Sequence, residues 1–259
     1  MFPSALLIAV RSLPELQSWK TIAIRIGAVP VAAGLFYLAL ASGGGTTRVG
    51  SGDAIAAAAS VGAINAAIAA NVLIAHDRFE STLPYVTIAS RGRTRAWAAR
   101  LSTVMAIGIA ASVVTVIVTL AVAGELRPGC TWVGIVAVLV VSSASAMGLG
   151  FLLGALSLIF GDSLLLANIA EYVLPLICGA VAPLSVFPDI VADTLRWIPP
   201  ASAIEAGRLL ANEGAGPAFW SALGAAICSG AAALTVGLLA WHSLERRARR
   251  DGSIESLSI

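Results

Sequence analysis

Glu171 has the clearest capacity for chemistry in this sequence, because it is an acid set inside the apolar run 163–182. A carboxylate in hydrocarbon is costly unless paired or hydrated. Such an acid either lines a polar path or sits neutral and hydrogen-bonded between helices. Asn168 precedes it by one helical turn, and Asn65 and Asn71 stand in the run 54–75. These amides read as path lining or as interhelical hydrogen bonds, each worth about 0.6–2 kcal/mol. Asn65, Asn168 and Glu171 are the candidate path residues.

Other chemistries lack their residues. A nucleotide-binding P-loop needs G-x-x-x-x-G-K-[ST], whose Lys neutralises phosphate. Lys20 is the only Lys and follows Trp19, so no such ATP site is present. His76 and His242 have no carboxylates in a metal-ligand pattern, which excludes a recognisable metal site. No Gly-x-Ser-x-Gly elbow occurs. Cys130, Cys178 and Cys228 are odd in number and scattered, unlike a disulfide framework. A net charge of +2 gives no case for nucleic acid as a partner. The chain reads as neither an enzyme nor a cofactor binder in its own right.

The elements that must position these residues follow from composition. The 259 residues are 58% hydrophobic and 12% charged, with a mean hydropathy of +0.92. A soluble domain typically carries about 25% charged residues. A spanning helix needs roughly 20 apolar residues. Windows of that kind lie at about 22–41, 54–75, 101–123, 132–158, 163–182 and 217–241. The expected fold is an all-α membrane protein, a single transmembrane domain over 1–259 with six spans. In the fourth window, Ser142, Ala146, Gly150 and Gly154 form a ladder of small residues that permits close helix approach.

Basic residues set the orientation. With both termini inside, twelve lie on the inner side, including Arg78, Arg91, Arg93, Arg95 and Arg100 in the 76–100 loop and Arg246, Arg247, Arg249 and Arg250 in the tail. Four lie outside: Arg48, Arg127, Arg196 and Arg208. The expected location is the cell's inner (plasma) membrane, with both termini cytoplasmic and the tail arginines near anionic lipid. The N-terminus does not read as a cleaved leader, since no basic region precedes its short apolar run. Within 1–20, Phe2, Leu6, Val10, Leu13 and Leu16 recur at helical spacing, as in a helix lying in the inner interface. The outer segment 183–216 keeps Leu184, Phe187, Trp197 and Ile204 among its charges. That mixture predicts short amphipathic or re-entrant helices, broken at Pro199-Pro200.

Two stretches carry a resemblance. The inner loop reads His76-Asp77-Arg78-Phe79-Glu80-Ser81-Thr82-Leu83-Pro84, then Ala89-Ser90-Arg91; the outer stretch reads Cys178-Gly179-Ala180-Val181-Ala182-Pro183-Leu184-Ser185, then Trp197-Ile198-Pro199-Pro200 and Glu205 to Arg208. In placement and type these resemble the type 2 ABC exporter permease family, with Ser81 and Arg91 standing where that family usually has Gly and Pro. The resemblance implies that Arg78, Glu80, Thr82 and Leu83 belong to a coupling segment that docks on a separate P-loop ATPase. It also implies a second permease subunit, ATP and Mg held by the ATPase, and a cargo that is an amphipathic drug, antibiotic, lipid or peptide. The expected function is the permease of an ATP-driven exporter. The alternatives are a secondary, ion-coupled transporter and a non-transporting membrane scaffold or sensor.

Overall fold

Alanine and glycine decide how this chain packs, since helices without long side chains approach until their backbones touch. The computed structural model describes residues 18–43, 50–79, 93–126, 132–158 and 164–250. The described residues form helices and turns, with no strand among them.

Helix α1 (Trp19–Ala41) starts at Ser18, whose hydroxyl accepts a hydrogen bond from the Lys20 amide at 3.3 Å. Over Ala23–Ala28 it widens to π-helical geometry just before Pro30. Pro30 has no amide to continue the regular ladder, so the wider turn absorbs the fault. Only Pro30, Gly34 and Leu38 of Val29–Ala41 are buried. They are four residues apart and seat α1 on the bundle by one narrow stripe, with Gly34 against Thr115.

Helix α2 (Ser51–Phe79) is the axis of the fold. Ala54, Ala56 to Ala59, Ala63, Ala66, Ala67 and Ala70 are all buried. A helix apolar on every side must be surrounded. Helices α3 (Arg93–Ala123) and α4 (Trp132–Ser157) supply most of that enclosure. Gly62 of α2 meets Ser112 and Gly108 of α3. The ladder Ser142, Ala146, Gly150 and Gly154 is wholly buried. Gly150 rests on the Ala67 backbone and Gly154 on that of Asn71. A second small face of α4 receives helix α8 (Pro217–Arg250), where Gly148 meets Gly230 and Gly237 meets Leu152.

The rest of the chain is shorter. Helix α5 (Leu165–Ile177) is followed by a 3-10 turn at Leu184–Val186, then α6 (Asp189–Leu195) and α7 (Ala201–Glu213). The helical break at Pro199-Pro200 falls between α6 and α7, as expected. Helix α7 is well buried and packs against α2, α4 and α8. Its Gly207 leaves room for Ile55, whose Cγ2 lies 2.9 Å from where a Cβ would stand.

Among the described residues five helices, α1, α2, α3, α4 and α8, are long and apolar enough to cross a membrane. Within the fifth expected span, 163–182, the described helix is the 13 residues of α5, about 20 Å long at 1.5 Å per residue. Pro175 lies in its last turn, and Gly179, at φ +78°, turns the chain away. The expected inner loop 76–100 includes helical residues at both of its ends. Helix α2 runs on to Phe79 and α3 begins at Arg93. A helix does not stop where its apolar residues do. The interfacial helix expected in 1–20 lies almost entirely outside the described residues.

Candidate functional site

Helices α2 and α3 run in opposite directions, so the end of one and the start of the other share one end of the bundle. There the side chains converge on Asp77. Its carboxylate is only 4% exposed and takes both arms of the Arg100 guanidinium, at 2.5 and 2.8 Å. Arg100 in turn lies over the Trp97 ring, 5.5 Å from its centroid. Trp97 packs edge-on against Phe151 of α4 and Trp241 of α8, at 5.7 and 5.3 Å. Four helices therefore meet in one cluster with a bidentate ion pair at its lip.

The physical effect is a clamp. A forked Arg–carboxylate pair fixes distance and orientation, unlike a single point contact. The aromatic side of Arg100 is held by a cation–π contact, which gains strength away from water. Asp77 lies two residues before the end of α2 and Arg100 seven residues after the start of α3.

The opposite end of the bundle holds a second polar knot, built on Arg208 of α7. This side chain is 9% exposed. Nη2 donates to the Gly179 carbonyl at 2.7 Å, Nε to Asp53 at 3.3 Å, and Nη1 to Glu205 at 3.5 Å. One guanidinium thus ties the turn after α5 to the first turn of α2. Gly52 allows this approach, since a Cβ there would lie 3.3 Å from the Arg208 backbone.

The expected path residues are not drawn into one site. Asn65 is half-buried and its amide donates to its own helix, at the Val61 carbonyl 3.0 Å away. Asn168 and Glu171 occupy the exposed side of α5, next to Tyr172, whereas Ala167, Ala170 and Leu174 face the bundle. Asn71 is buried, yet neither amide atom has a hydrogen-bond partner among the described residues. Among the described residues, neither Asn65 nor Asn71 makes an interhelical bond. Of the expected coupling residues, Arg78 falls in the last turn of α2. Glu80, Thr82 and Leu83 lie outside the described residues.

Sequence reasoning missed Trp97, Trp241, Asp53 and the pairing of Asp77 with Arg100. The available signal was Asp77 and Arg100 flanking one inner loop, each beside an apolar window. Arg208 was counted only as an outer charge, although Glu205 one turn earlier marks a helical i,i+3 pair.

Five long apolar helices among the described residues, one of them the methyl-lined axis α2, make this a multi-pass helical membrane protein. Compared with protein-family models, curated proteins and solved structures, the chain has no match.

Proposed function

We propose that the chain is the transmembrane permease subunit of an ATP-driven exporter, resembling the type 2 ABC kind. In this reading ATP and Mg are bound by a separate P-loop ATPase, and a second permease subunit, identical or related, completes the membrane pore. Its cargo is an amphipathic drug, antibiotic, lipid or peptide. The basic end of the bundle faces the cytoplasm of the inner (plasma) membrane, and both termini lie on that side. α5 and the turn after it form the sixth span, and 183–216 forms an outer re-entrant segment.

One observation carries this reading: the Asp77–Arg100 clamp at the base of the α2–α3 loop. A permease without its own ATPase must receive work through a loop, and a floppy loop would lose it. A loop whose two ends are locked together, on the axis helix of the bundle, passes displacement to every helix packed around α2. Arg78, Glu80, Thr82 and Leu83, at the end of α2 and in that loop, are the residues assigned to docking.

The test is purification of the tagged chain in mild detergent, with mass spectrometry and an ATPase assay. A stoichiometric P-loop ATPase, lost or uncoupled by Glu80→Arg in a folded chain, is the expected result. A folded chain with no ATPase partner would refute the proposal and favour an ion-coupled transporter or a scaffold.

A further inference from the structure

A cleft of about 690 Å³ opens where α6, α7 and the start of α8 meet. Its size is that of a small-molecule site. Asp193, Arg196, Trp197 and Glu205 line it together with Leu209, Ala222 and Ala225.

Both acids of the lining are paired with arginine, but neither is held tightly. Asp193 and Arg196 pair at 3.0 Å, but their side chains are 70% and 58% exposed. An exposed pair of this kind is worth about 0–1 kcal/mol, so another cation can replace Arg196 at little cost. Glu205 makes the longest of the three contacts to Arg208, whose shorter bonds go to Gly179 and Asp53. Glu205 thus keeps a carboxylate edge on the cleft. Trp197 is 74% exposed and offers an indole face beside the two acids. Two carboxylates and an indole are the groups that hold an organic ammonium.

The two lining hydroxyls ask for no further hydrogen bonds. The Ser202 hydroxyl already donates to the Arg196 carbonyl at 2.7 Å, and that of Ser221 to the Ala218 carbonyl at 2.8 Å. Ala222 and Ala225 share one face of α8, and methyl groups there leave a shallow groove rather than a ridge.

We propose that this cleft binds a single-chain amphiphile with a cationic ammonium head. The head sits between Glu205, Asp193 and Trp197, and the chain lies over Leu209 and Ala225. This goes beyond the exporter reading and does not depend on it, because it concerns binding alone.

The test uses the full chain in nanodiscs of zwitterionic lipid, with radiolabelled dodecyltrimethylammonium and empty discs as background. Saturable binding at one probe per chain is expected. Trp197→Ala and Glu205→Gln are each expected to weaken it about tenfold, as loss of a desolvated cation contact does. Ala225→Trp, which alters no charge, is expected to block the chain's place and abolish saturable binding while leaving the unfolding midpoint unchanged. Dodecyl sulfate and dodecylphosphocholine are expected to compete at least about tenfold more weakly than the ammonium. Equal competition by either would overturn the assignment, as would binding no greater than in empty discs. Parent-like binding by Trp197→Ala and Ala225→Trp together would place the site elsewhere and overturn it too.

Discussion

Replacing Arg100 with Gln removes the positive half of the clamp and leaves Asp77 in place. The Asp77 carboxylate is 4% exposed and Arg100 17%, so the pair is close to fully withdrawn from water. Breaking a buried pair from one side costs about 3–5 kcal/mol, because the remaining charge is stranded. The same pair on an open surface would be worth about 0–1 kcal/mol. Arg100→Lys separates charge from geometry. It keeps the cation but not the two-armed fork, so it is expected to cost about 1–2 kcal/mol, the scale of one hydrogen bond. Equilibrium unfolding in mixed micelles with rising SDS fraction measures both. Trp fluorescence reports the transition, since Trp97 and Trp241 pack on each other at this site. The expected order is parent, then Lys, then Gln. If Arg100→Gln unfolds within about 1 kcal/mol of the parent, the pair is solvated like a surface pair and the clamp argument fails.

Three further outcomes follow from the packing. Gly150→Ala is expected to destabilise the chain by about 1–3 kcal/mol in the same assay, as overpacking does. The new Cβ would stand 2.6 Å from the Ala67 Cα, so α2 and α4 must part; an unchanged midpoint would mean that they do not pack as described. Gly179→Ala is expected to cost about 1–2 kcal/mol, since φ is +78° there and an L side chain resists that conformation. Loss of Arg208 protection in hydrogen exchange around the turn after α5 would accompany it, and an unshifted midpoint would contradict the positive φ. Glu171→Gln, on an exposed side of α5, is expected to change stability by less than about 0.5 kcal/mol while altering export. Unchanged export by a stable Glu171→Gln chain would remove Glu171 from any transport path.

The spans were legible because lipid imposes one simple demand, and an apolar window of the right length answers it. Their ends were less legible. Hydropathy reports where lipid stops, whereas α2 and α3 continue past that level to Phe79 and Arg93. Within 163–182 the end of the helix was hidden, because a window average gives Pro175 and Gly179 no special weight. Backbone chemistry does, since one lacks a donor and the other takes a left-handed turn. The clamp was illegible for another reason. Asp77 and Arg100 are 23 residues apart and Arg208 and Asp53 are 155 apart, so neither pair has a local spacing to read. They meet only once the helices have been laid against one another. For Glu171 the sequence shows the helix but not the face: an acid in an apolar run marks a polar environment, but not which side of its helix provides it.

The methyl coat of α2 also governs how the bundle can move. Long interlocking side chains must change rotamer before two helices can slip past each other. Alanine and glycine have no rotamers to change, so the surfaces between α2, α4 and α3 offer few catches. Resistance to sliding is concentrated instead at the two ends, in the Asp77–Arg100 fork and the Arg208 knot. A smooth shaft latched at both ends transmits a push along its length, and releasing either latch frees the shaft rather than dissolving the bundle.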